Sequence, residues 1–163
     1  MKYFIIEDNY NYAILLKDIV NEFNKDENDR AIILDCNNNK DWKYYLLSQM
    51  FLSAKNDEKV CLIIDAELRC NQFSKRSDLE GISLVYKILS SMSLGFEGHI
   101  ILYGFLPTEI LNKMLNKKGI PDFSELKIYG ISYIQLPISK ENFEAELIKL
   151  NQNKSTLFDK NND

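Results

Sequence analysis

The sequence predicts a single α/β domain: a five-stranded parallel sheet in the order 2-1-3-4-5, with helices on both faces. Two observations carry that expectation. Short, nearly continuous apolar runs alternate five times with longer segments of helical period, and the runs are rich in Ile, Val and Tyr. Such runs suit strands buried on both faces, as parallel sheets require. The length agrees, since 163 residues with 45% hydrophobic and 27% charged side chains fill about one ordinary domain.

The elements follow in chain order. Tyr3–Ile6 reads as the first strand, and Tyr12, Leu15, Leu16, Ile19, Val20 and Phe23 form the apolar stripe of a helix after it. Ala31–Leu34 is the second strand and Asn37–Asp41 a polar loop. A less regular stripe of Trp42, Tyr45, Leu46, Gln49, Met50 and Ser53 marks the second helix, where Trp42 and the tyrosines after it, Tyr44 and Tyr45, are expected to pack on the sheet. Val60–Ile64 is the third strand, and residues 66–80 make a longer connection with a middle rich in Arg, Lys and Ser. The third helix carries Leu84, Val85, Ile88, Leu89 and Met92. His99–Tyr103 is the fourth strand, and Ile110, Leu111, Met114 and Leu115 mark the fourth helix, broken by Gly119 and Pro121. Ile131–Leu136 is the fifth strand, followed by a helix with Phe143, Leu147 and Leu150. Beyond Leu150 both period and apolar content fade, so residues 1–150 are read as the domain and 151–163 as a polar tail or linker.

Composition excludes several functions. Twenty basic against 24 acidic side chains, a net charge of −4, argue against coating nucleic acid, which needs clustered Lys and Arg. No apolar run is long enough to span a bilayer, and Glu7 and Asp8 interrupt the N-terminus where a signal peptide would stay apolar. Three cysteines, Cys36, Cys61 and Cys70, lack metal-ligand spacing and suit a reducing cytoplasm. Cys61, inside a strand, reads as a buried inert thiol, and the lone histidine, His99, falls at a strand start, away from the carboxyl ends. None of the six glycines builds a nucleotide-cradling loop.

Three carboxylates fall where this fold places ligands. Glu7 and Asp8 end the first strand and Asp65 the third, and in the order 2-1-3-4-5 those strands are neighbours beside the topological switch point. Carboxylates gathered there repel one another unless a cation lies between them, and hard oxygen donors in that number suit Mg²⁺ held weakly. An alternative use for Asp8 is to cap the helix that starts near Tyr10.

The stretch KYFIIEDNYNYAILLKDIV resembles the opening of a bacterial response-regulator receiver domain, with its acidic pair after the first strand. VCLIIDAEL resembles that family's third strand, Gly81 with Ile82, Leu84 and Val85 its third helix, and YIQLPIS its fifth strand. The likeness spans roughly residues 2–150 and implies a flavodoxin-like receiver fold. It also implies that Asp65 accepts a phosphoryl group from a histidine kinase or phosphotransfer protein. Glu7, Asp8, Asp65 and the main-chain carbonyl of Glu67 would hold Mg²⁺. Tyr133 matches the aromatic whose rotation accompanies activation.

The sequence departs from that family at two switch positions. Gly104, or Tyr103 in a register shifted by one, stands where a Thr or Ser contacts the phosphoryl group, and Leu136 replaces the lysine before Pro137. Arg69, Lys75 and Arg76, in the stretched loop after Asp65, are candidate replacements for that lysine. The expectation is an atypical, non-enzymatic receiver that meets an effector protein through contacts around Ile110–Leu115, Phe123 and Ile128. The fourth helix and fifth strand are its candidate homodimer surface. A working Asp65 acceptor with non-standard switching is the alternative. A Toprim-like metal-dependent phosphodiester enzyme, with Glu7 and the Asp65-Ala66-Glu67 pair as ligands, is the third; it wants a glycine where Asp8 stands and a basic groove.

Overall fold

The computed structural model describes residues 1–24, 31–38, 41–70, 79–91, 98–127 and 130–152. Among these described residues five strands and six helices follow one another as β1 (Lys2–Ile6), α1 (Tyr10–Phe23), β2 (Ala31–Leu34), α2 (Trp42–Lys55), β3 (Val60–Asp65), α3 (Glu80–Ser91), β4 (Gly98–Gly104), α4 (Thr108–Lys117), α5 (Phe123–Leu126), β5 (Ile131–Gln135) and α6 (Lys140–Gln152). The strands form one parallel sheet in the order β2-β1-β3-β4-β5. Asn39, Lys40, Lys75, Arg76, Met92, Ile128 and residues 153–163 of the expected tail lie outside the described residues, as do the side chains of Leu89 and Leu150.

Alternation along the strands divides the core in two. Phe4, Ile6, Leu62, Ile64, Ile100 and Leu102 face one side, where α2, α3, α4 and α5 cover them. Tyr3, Ile5, Cys61, Ile63, Ile101 and Tyr103 face the other, covered by α1 and α6. Full burial of an aliphatic side chain contributes about 1.5–3 kcal/mol, so the two-sided burial of β1 and β3 makes them the rigid centre that holds the strand ends in place. No described helix is long and apolar enough to cross a membrane.

Four details refine the sequence expectations. Asn9, not Asp8, caps α1: its side chain accepts from the Tyr12 N–H at 3.3 Å, which leaves the Asp8 carboxylate for other contacts. The segment after α4 holds a helix of four residues, α5, too short to show a period and capped by the Asp122 carboxylate. Trp42 is buried on α2, but Tyr44 and Tyr45 are exposed, because the inward stripe of that helix runs through Trp42, Leu46, Met50 and Ser53. Around α4, Leu111, Leu115 and Phe123 are core residues and Ile110 is exposed.

Candidate functional site

The side-chain alternation that sorts the core also builds the site. Residues 3, 5 and 7 point one way along the first strand, as do 61, 63 and 65 along the third and 101 and 103 along the fourth. Ile6 pairs with Ile64 and Asp65 with Tyr103, so Glu7, Asp65 and Tyr103 project side by side from the carboxyl ends of adjacent strands. Asp8 joins them from the loop before α1. One ligand atom from each of Glu7, Asp8 and Asp65 lies within 4.8 Å of the others.

Each carboxylate has a distinct environment. Glu7 is buried, and its Oε1 accepts from the Asn9 N–H at 2.8 Å while its Oε2 accepts from the Tyr103 hydroxyl at 2.5 Å. Burial raises its pKa, and those two hydrogen bonds pull the other way. Asp65 Oδ1 accepts from the Glu67 N–H at 2.8 Å. Burial, then the charge of Glu7, pushes Asp65 up to about 7. The Asp8 carboxylate meets the Arg69 guanidinium, with Nε 3.4 Å from Oδ2. Its backbone is fixed too, since the Asn37 side-chain amide donates to the Asp8 carbonyl oxygen at 3.0 Å.

Neighbouring positions shape the pocket. A Cβ on Gly81 would stand 1.8 Å from the Asp65 carbonyl oxygen, so only glycine lets the first turn of α3 abut the end of β3. At Gly104, a Cβ would meet the Tyr133 hydroxyl at 3.2 Å and Glu67 Oε2 at 3.3 Å. Those two groups crowd the place a side chain at this position would take. The Tyr133 hydroxyl donates to the Leu106 carbonyl oxygen at 2.7 Å and its ring stacks on Phe123 with centroids 5.1 Å apart. The Glu67 carboxylate accepts from the Phe105 N–H at 3.0 Å and is not among the clustered carboxylates. Leu136 is buried with Phe143 and Leu147 in the core beneath α1 and α6.

The donor set fits a hard divalent cation. Three carboxylates converge, and burial together with the charge of Glu7 raises Asp65 to about 7, a penalty on its charged form that a dication would offset. Glu7 keeps lone pairs beyond the two its protein donors use. From sequence Tyr103 enters the site only in the shifted register of the fourth strand, and in the structure its hydroxyl donates to Glu7 at the acidic pocket. Parity with Asp65 across the strand pair is the signal that finds it.

No protein-family model matches the chain, and no curated protein matches it. Solved structures do. The chain is similar to the signal receiver domain of a DNA-binding response regulator protein (merR) from Colwellia psychrerythraea 34H, at 15% identity and a TM-score of 0.59, over 93% of this chain and 98% of that one. It is similar to a response regulator receiver domain protein from Clostridium thermocellum at 11% identity and a TM-score of 0.54, over 94% and 95% of the two chains. Against chemotaxis protein CheY4 of Vibrio cholerae the values are 11% and 0.50, over 91% and 97%. The fold is therefore that of receiver domains.

Proposed function

We propose that this chain is a receiver-like signalling module of the two-component type, spanning residues 1–150, that acts in the cytoplasm through protein contacts rather than as an enzyme. The observation that carries the reading is the convergence of Glu7, Asp8 and Asp65 at the carboxyl ends of neighbouring strands. In this reading Glu7, Asp8, Asp65 and the Glu67 carbonyl hold Mg²⁺ weakly, and Asp65 is the phospho-acceptor toward a histidine kinase or phosphotransfer protein. When bound, Mg²⁺ neutralises charge between the carboxylates and an incoming phosphoryl group. The Tyr103 hydroxyl and the Asn9 N–H orient Glu7, and the Glu67 N–H orients Asp65.

The switch is atypical. Gly104 offers no hydroxyl, and the Leu136 side chain is buried in the core, so the two contacts that convert a phosphoryl group into motion are missing. A second reading, a working acceptor with different switching, draws on Arg69, whose guanidinium already sits at the pocket rim on Asp8. The Toprim-like alternative wants Glu67 beside Asp65 as a ligand, and the Phe105 N–H engages that carboxylate instead.

Calorimetric titration of Mg²⁺ into the wild type and Asp8→Asn tests the site. The expected result is millimolar binding in the wild type and at least about tenfold weaker binding in the variant, the loss of one charged ligand. Equal affinity in the two proteins would remove the acidic pair from the reading.

A further inference from the structure

Helix α2 carries two apolar stripes where a surface helix carries one. Trp42, Leu46, Met50 and Ser53 face the sheet. On the opposite side Tyr44, Leu47 and Phe51 follow the i, i+3, i+7 spacing of a second stripe, flanked by Tyr45 and Leu52. These five side chains are exposed by 76%, 49%, 66%, 42% and 47% in that order. They are five of the twelve exposed large hydrophobic residues among those described. Between Trp42 and Lys55 the only charges on the helix are Lys43 and Lys55, and Lys43 leans over the Trp42 ring. A helix apolar all round belongs in an interior or an interface.

We propose that α2 is the contact between two copies of this chain, paired antiparallel about a two-fold axis near Leu47 and Ser48. With a fully exposed side chain of this kind presenting on the order of 200 Å², the five together offer roughly 500–600 Å² per copy. Two copies then bury about 1,000–1,200 Å² from these side chains alone, which reaches the lower edge of specific interfaces before any rim residue is added. A patch of this size lies at the upper end of what a monomer exposes, where such patches are often functional. The arrangement is self-complementary, as an isologous contact requires. Tyr44 of one copy meets Phe51 of the other. Asp41, exposed before the first turn, comes toward Lys55 in the last turn of the second copy, so opposite charges close both ends of the stripe. The edge formed by α4 and β5 offers much less, because Leu111, Leu115, Phe123 and Leu126 are spent on the core. The inference stands independently of the acidic pocket and of any phosphoryl chemistry there.

Sedimentation velocity of the full chain between about 1 and 100 μM tests it. The wild type is expected to pass from monomer to dimer over that range. Phe51→Lys should weaken dimerisation more than about tenfold with an unchanged far-ultraviolet spectrum, and Tyr44→Lys reads the same contact should the first variant fold poorly. Lys55→Glu should weaken the dimer and Asp41→Lys/Lys55→Glu should restore it. A wild type that stays monomeric at the highest concentration overturns the proposal. So does a dimer that survives these substitutions, which would place the contact on another face such as α4 and β5. A chain that sediments as a complex only with a different protein overturns it as well.

Discussion

Asp65 stands at about 7 where an ordinary aspartate stands at 3.8, because the pocket takes its carboxyl out of water and sets it beside Glu7. The folded chain therefore keeps a proton there that the unfolded chain has released, and folding stability from this group is fully present below about pH 4 and lost as pH rises through 7. The full difference amounts to no more than about 4 kcal/mol, less to the extent that water reaches the carboxyl. Asp65→Asn is expected to flatten that slope and to be the more stable protein above neutrality. Urea denaturation at about pH 5 and pH 8 without divalent cations measures it; a gap between the two proteins that does not widen at the higher pH would contradict the assignment. The position of this residue was legible in the sequence, since a carboxylate ending an unbroken apolar strand has few neighbours it can reach. Tyr103, whose hydroxyl bonds Glu7, was legible only as the alternative to Gly104, because a tyrosine in such a strand looks the same whether its hydroxyl ends in the core or in a pocket. Asn9 was missed for a related reason: Asp8 and Asn9 are both good caps, and only the backbone decides which one turns back on the helix.

Among the elements, α2 carries large side chains at both extremes of burial. Leu46 is fully buried against the sheet and Tyr44 is the most exposed large side chain of the helix. Leu46→Ala is expected to cost about 2–5 kcal/mol through the cavity it leaves. Tyr44→Ser, at dilutions where the chain is monomeric, should stay within about 0.5 kcal/mol of the wild type. Thermal melts of the two variants check this directly, and comparable losses would mean that the helix is rotated from the orientation described. Sequence periodicity placed the helix but not its outer face, because apolar residues occur all round it and the stripe has little contrast. On helices α1 and α4 polar residues such as Asp18 and Glu22, or Lys113 and Lys117, mark the solvent sides. Yet Leu15 and Ile110, placed in the apolar stripes by period, are exposed at the stripe edges, and on α1 Ala13 is buried instead. The four residues of α5 fell below any periodic signal and are held instead by a cap and by Phe123 and Leu126 in the core.

For the whole molecule, the proposed atypical switch, with Gly104 and Leu136 at its two contact positions, implies one resting conformation. Heteronuclear NMR with Mg²⁺ and beryllofluoride should show shifts confined to the surroundings of Glu7, Asp8, Asp65 and Arg69. Changes spreading through Tyr133 to α4 would show that the domain switches by another route, and the atypical reading would fall while the acceptor reading stood. The two halves of the core are separated by the sheet, so communication between the pocket and the outer face of α2 cannot pass through side-chain packing alone. A shorter route runs around the edge. The Asn37 amide, in the turn leading to α2, grips the backbone of Asp8, and the same turn is braced by the Asp35 carboxylate accepting from the Asn37 and Asn38 N–H groups at 3.0 and 2.9 Å. A cation that draws the Asp8 backbone inward must carry this turn with it or break the hydrogen bond from the Asn37 amide. Should the paired state prefer one position of the turn, each process acts as effector of the other with equal and reciprocal strength. Protein concentration and magnesium concentration then become two controls on a single equilibrium.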